Sequence, residues 1–88
     1  MRVRVSFVGR VQGVGFRATV RECASRYALF GWVRNEPDGS VTAELQGAAE
    51  VVEGCLAELA ESRRGFIRSM DRAVLVEDPT LTGFDIVR

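Results

Sequence analysis

Three glycines and two arginines fall within one short run, Gly9-Arg10-Val11-Gln12-Gly13-Val14-Gly15-Phe16-Arg17, and residues of those types can hold an anion. Glycine lets main-chain amides approach a ligand closely. A helix opening there adds unpaired N–H groups and a positive partial charge, and Arg17 adds a planar guanidinium. Phosphate is the guest that such a run suits. A second run, Gly31-Trp32-Val33-Arg34-Asn35, ends on a carboxamide, which can accept from a water while donating to a phosphate oxygen. That group positions a nucleophile; it is not a base.

Two better-known phosphate motifs compete for the first run. Gly13-Val14-Gly15-Phe16-Arg17-Ala18 matches the dinucleotide fingerprint in its final-Ala form, with Glu36 about twenty residues on. The match fails on context. The chain is too short for the usual six-stranded sheet, turn residues follow where another crossover should begin, and Arg17 puts a charge into the turn. The Walker A pattern is absent, because no Lys-Ser/Thr pair follows the glycines.

Composition narrows the chemistry further. The 88 residues carry twelve basic side chains, all Arg, twelve acidic ones and no His, for a net charge of zero. A general basic footprint for nucleic acid is therefore missing. So are the usual general base and the commonest metal ligand. Cys23 and Cys55 belong to no CxxC pair and read as buried thiols, neither a disulfide nor a metal or thiol-enzyme site. Met1-Arg2-Val3-Arg4-Val5 alternates where a leader would be apolar, and no apolar run nears a membrane span. A cytoplasmic protein with no membrane partner is expected.

The elements that must position these runs follow from periodicity. Val3, Val5 and Phe7 alternate with Arg4 and Ser6, the period of a strand with one buried face. From Phe16, Val20, Cys23, Ala24 and Tyr27 recur at helical spacing. Phe30–Asn35 and Ser40–Leu45 flank Glu36-Pro37-Asp38-Gly39, a hairpin turn. Val51, Val52, Cys55, Leu56 and Leu59 stripe a second helix. A strand is expected over Ala73–Glu77 with Val74 and Val76 alternating, then a stop at Asp78-Pro79 and a short strand at Phe84–Val87. This order predicts an α+β protein: a single domain over 1–88, built as a two-layer ferredoxin-like sandwich, βαββαβ with a short extra C-terminal strand. Its sheet is expected to be antiparallel, with both helices on one face. The first two strands then run parallel with the third between them, so Asn35 can face the glycine loop.

Residues 9–17 resemble the first signature of the acylphosphatases. Gly31-Trp32-Val33-Arg34-Asn35, followed by Gly39, Val41 and Gly47, resembles their second. The likeness extends to Gly83-Phe84-Asp85-Ile86 and covers essentially the whole chain. It implies hydrolysis of small acyl phosphates to carboxylate and inorganic phosphate, with no metal, no cofactor and no covalent intermediate. Main-chain amides from Gln12, Gly13, Val14, Gly15, Phe16 and Arg17 would surround the phosphate, the Arg17 guanidinium would grip two of its oxygens, and Asn35 would orient the attacking water. Phosphate is then product and competitive inhibitor, and the protein a monomer. Two residues depart from the family pattern: Phe7 stands where a branched aliphatic is usual, and Glu36 follows Asn35 where several members carry Thr. Glu36 sets a carboxylate beside the site, and activity is expected to survive it. Similar segments open a large hydrogenase-maturation carbamoyltransferase; a chain ending at Arg88 points to the stand-alone form.

The chemistry agrees with that resemblance independently. An acyl phosphate is a mixed anhydride whose carboxylate leaves readily, so its hydrolysis needs alignment and charge stabilisation more than acid or base. Stable phosphate monoesters would be poor substrates for such residues. Two other functions fit the same fold. A non-catalytic module would bind phosphate or a carboxylate without turnover; an RNA-binding module would need stacking aromatics on the sheet, and no such pair is evident. Taken singly, each glycine reads as a turn residue, Asn35 as a turn residue, Trp32 as a sheet side chain, and Arg10, Arg34, Arg63 and Arg64 as solvated. The pairing of the two runs singles out Arg17 and Asn35.

Overall fold

The computed structural model describes residues 1–88 and follows the expected order: β1 (Arg2–Gly9), α1 (Phe16–Arg26), β2 (Phe30–Asn35), β3 (Val41–Gln46), α2 (Ala49–Ser62), β4 (Ile67–Leu75) and β5 (Phe84–Val87). The strands form one sheet in the order β4-β1-β3-β2-β5. β3 lies antiparallel between β1 and β2, so those two run parallel and both end at the same edge. This is the ferredoxin-like sandwich.

Strand alternation divides the sheet into two faces. Val3, Val5 and Phe7 of β1, Val41, Ala43 and Leu45 of β3, Val33 of β2 and Phe84 of β5 point inward. Against them pack Phe16, Val20, Cys23 and Ala24 of α1, and Val52, Cys55, Leu56 and Leu59 of α2, all buried. Phe7 meets Phe16 edge-on with ring centroids 5.0 Å apart. That geometry suits an aromatic pair.

The other face is polar. β1 and β3 present Arg2, Arg4 and Ser6 beside Thr42, Glu44 and Gln46, and β2 adds Phe30, Trp32 and Arg34, the only aromatic rings of the inner strands on this face. Glu44 is buried there between the guanidiniums of Arg2 and Arg4. Burial pushes its carboxyl up, but the hydrogen bonds from Arg4 and Arg2 outweigh burial and hold it below the usual range.

Two expectations need correction. The fourth strand begins at Ile67, not Ala73, and Val74 and Val76 are 71% and 87% exposed. β4 is an edge strand paired only to β1, so the mostly polar run from Arg68 to Arg72 suffices, and only Ile67 and Met70 pack on the core. The sheet is also mixed, since β5 joins β2 in parallel. The Asp78-Pro79 stop is real. Asp78 receives bonds from the amide and hydroxyl of Thr80, while its main chain is held by the Gln46 side chain.

The helix pair is closed by a small polar network around the two cysteines. Both are free thiols, and the Cys55 Sγ lies 3.4 Å from that of Cys23. Burial raises both thiols above their ordinary range. At the exposed rim Arg26 donates to the Glu58 carboxylate, joined by the Cys23 thiol at 3.3 Å and the Tyr27 hydroxyl at 3.0 Å. Those bonds hold Glu58 down at about 2. A glutamate in the unfolded chain titrates at about 4.3, so Glu58 contributes stability above that pH. The contribution is lost as pH falls through that value toward the folded one. Glu58→Gln should therefore flatten the loss of thermal stability between about pH 4 and pH 2. Parallel melting curves for variant and parent across that range would contradict the assignment.

Candidate active site

The nine-residue glycine run starts at the last residue of β1 and ends inside α1. Gly15 caps the helix in the left-handed conformation (φ 76, ψ 17) with no side-chain cap, and Gly13 has φ 75. Other L residues would be strained there by roughly 1–2 kcal/mol. A side chain at either position would meet nothing within 4 Å; the demand is on the backbone angle, and the space above the loop is open. None of the main-chain N–H groups from Val11 to Ala18 donates to another group of the protein. Unpaired donors at a helix start attract an anion.

A cleft of about 200 Å³ opens over this loop, lined by Val11, Gly13, Gly15, Phe16, Arg17, Ala18, Asn35 and Ile86. Arg17 and Asn35, far apart in sequence, thus border one cavity. Arg17 is half-buried and makes no ion pair or hydrogen bond, so its guanidinium is uncommitted. Asn35 follows Val33 by two residues and shares its inward face at the end of β2. Its Oδ1 is buried with no hydrogen-bond partner. An orphaned buried acceptor costs about 1–3 kcal/mol and calls for an explanation.

The other expected site residues divide. Gly13, Gly15 and Phe16 line the cleft, while Gln12 and Val14 stand outside its lining. Gln12 instead donates from its side chain to the carbonyls of Glu36 at 2.8 Å and Ser40 at 2.9 Å. This ties the loop to the β2–β3 turn, one residue past Asn35. Glu36 turns to the opposite face of the sheet and pairs with Arg34 at 3.0 Å. Hydrogen bonds from Thr42 and Arg34 lower its pKa and direct its charge away from the cleft. Trp32 is a sheet residue covered by Arg34, whose guanidinium stands 4.9 Å from the ring centre.

Ile86, Ala18 and Val11 form an apolar flank that the sequence did not announce. Ile86 reaches the cleft because β5 lies parallel to β2 with Ile86 opposite Val33. Its sequence signals were its place two residues after inward Phe84 and the likeness at Gly83-Phe84-Asp85-Ile86, neither of which points to the cleft. No carboxylate, thiol or imidazole lines the cleft, so it suits a reaction whose leaving group departs unaided and whose charge is met by fixed donors. No helix of the protein is long and apolar enough to cross a membrane.

Known proteins place this arrangement in a family. The acylphosphatase family model matches residues 3–86. An acylphosphatase from Oceanobacillus iheyensis is 43% identical over 86 residues, covering 96% of this chain and 94% of the relative. One from Trichormus variabilis is 43% identical over 89 residues, covering 100% and 87%. Among solved structures, the acylphosphatase from Bacillus subtilis superposes with a TM-score of 0.89 at 27% identity, over 99% of this chain and 98% of that one. Full-length HypF, solved in a phosphate- and nucleotide-bound form, contains a similar unit (TM-score 0.89, 29% identity) that spans 12% of its length. With whole-length relatives on both sequence and fold, the chain belongs to the acylphosphatase family of hydrolases.

Proposed function

We propose that this protein hydrolyses the carboxyl–phosphate bond of small acyl phosphates, as a single domain over residues 1–88 that acts as a cytoplasmic monomer, with no metal and no covalent intermediate. The phosphate is held by the amides of the Gln12–Arg17 loop and by the Arg17 guanidinium. Asn35 orients the attacking water, and the apolar flank of Val11, Ala18 and Ile86 receives the acyl group. One observation carries the reading: Arg17, whose guanidinium is uncommitted, and Asn35, whose carboxamide oxygen is orphaned, line the same cleft as a loop of free main-chain donors.

The mechanism follows from that arrangement. Donors fixed in advance meet the charge on the equatorial oxygens as the acyl oxygen departs, and no reorganisation is needed at that moment. Asn35 brings the water in line with the leaving group, an entropic contribution made before reaction.

The test is continuous hydrolysis of benzoyl phosphate in excess chelator, with inorganic phosphate as inhibitor. Turnover should survive the chelator, phosphate should compete with substrate, and the rate should be level through mid pH, because no imidazole, thiol or carboxylate lines the cleft. Phosphate binding without turnover would mark a non-catalytic module. Loss of activity in chelator would mark a metal route, and a limb near pH 6.5 would contradict the proposed chemistry.

A further inference from the structure

Arg63 and Arg64 follow α2 as neighbours but behave differently. Arg64 is solvated, with Glu61 at 3.7 Å and both side chains exposed. Arg63 is half-buried, and its guanidinium donates to the Thr19 hydroxyl. This corrects the expectation that both arginines face water. Thr19 in turn donates from Oγ1 to the carbonyl of Gly15 at 3.2 Å, which also accepts the Thr19 amide at 3.1 Å. The hydroxyl has one proton to give and lone pairs to receive, so both bonds can form together.

The same turn also holds the start of the glycine loop. The Arg10 amide donates to the Phe66 carbonyl at 2.8 Å. The Phe66 ring lies 5.6 Å from the Arg10 guanidinium and 5.8 Å from that of Arg63. A register shift in the β1–β4 ladder at Val8/Gly9 leaves Ser69 and Ile67 opposite those two residues, bringing the turn alongside the loop. Arg10 and Gly15 bound the irregular part of the loop, and both are tied to residues 63–66.

We propose that Arg63 and Thr19 are positioning residues for the phosphate cradle: their relay to the Gly15 carbonyl fixes the left-handed turn from which the free amides of Phe16, Arg17 and Ala18 follow. Neither side chain lines the cleft, so their influence passes through the backbone. Gly15 cannot cap the helix with a side chain of its own, and the relay restrains the carbonyl end of that residue instead. The inference rests on the phosphate-binding reading of this loop.

The test uses Thr19→Val, which keeps side-chain volume, and Arg63→Met, which keeps an apolar stem over Phe66. Calorimetric binding of inorganic phosphate is measured beside benzoyl phosphate kinetics and thermal melting. Each single variant should weaken phosphate binding and raise KM about fivefold with kcat within about twofold, the pattern of lost uniform binding. The double variant should be no worse than either single, because both break one relay, and Thr19→Ser should restore parental binding. Folded variants that bind phosphate like the parent would overturn the proposal. So would multiplicative losses, or a loss in Arg63→Met without one in Thr19→Val, which would show a charge effect alone. If Arg63→Met unfolds, Thr19→Val and Thr19→Ser decide the matter. A parent that neither binds phosphate nor turns over substrate defeats the functional reading itself; an active, phosphate-binding parent with unaffected variants defeats only the relay.

Discussion

Arg17→Ala should lower kcat/KM for benzoyl phosphate by about 10²–10⁴-fold and remove inhibition by phosphate. A guanidinium gripping two oxygens makes two charge-assisted bonds of about 1.5–3 kcal/mol each, and each 1.36 kcal/mol is tenfold. Binding and turnover fail together, because the contact exists in the ground state and strengthens as charge shifts in the transition state. Thermal stability should be unaffected, since Arg17 has no partner in the folded chain to abandon. Arg17→Lys should rescue little, as an ammonium keeps the charge but loses the planar fork. Steady-state kinetics with a melting curve check all three statements. Near-normal turnover in a folded Arg17→Ala variant would end the assignment.

Asn35→Ala should divide the parameters differently: kcat falls by about 10²–10³-fold, the range for losing one preorganised polar group, while KM and phosphate affinity change by less than about threefold. The water contact matters once attack begins. This variant also carries an opposite prediction for stability. The orphaned Oδ1 is a burden on the folded state, and removing it should leave melting unchanged or raise stability by about 1 kcal/mol. Activity lost while stability is kept or gained is the expected mark of a strained functional group. A variant that loses both would instead make Asn35 a structural turn residue.

Most of the frame was legible because it obeys a period. β1, α1, the hairpin and α2 each carry an apolar stripe of the right spacing, and two split units of that order leave one sensible sheet. Arg17 and Asn35 were legible as a pair because that topology sends β1 and β2 toward one edge. What escaped has local causes. β4 is an edge, and Arg68, Ser69, Asp71 and Arg72 need no alternation there; Val74 and Val76 mimicked a buried pattern that the strand does not use. The direction of β5 is a long-range pairing with no mark in four residues, which hid Ile86 from the site. Gln12 was read through its amide while its side chain holds the hairpin, and Arg63 through its neighbour Arg64. Such side-chain partnerships depend on contacts across 24 to 44 residues of chain, beyond the reach of spacing.

The Gln12 bridge to the β2–β3 turn bears on how the catalyst works as a machine. Because one carboxamide staples the glycine loop to the turn that follows Asn35, the spacing between the proposed anion receptor and the proposed water-steering group is built in by folding. Under the proposed function its selectivity would be that of a mould: donors of fixed spacing meet the phosphoryl group, and only the apolar flank of Val11, Ala18 and Ile86 meets the acyl group.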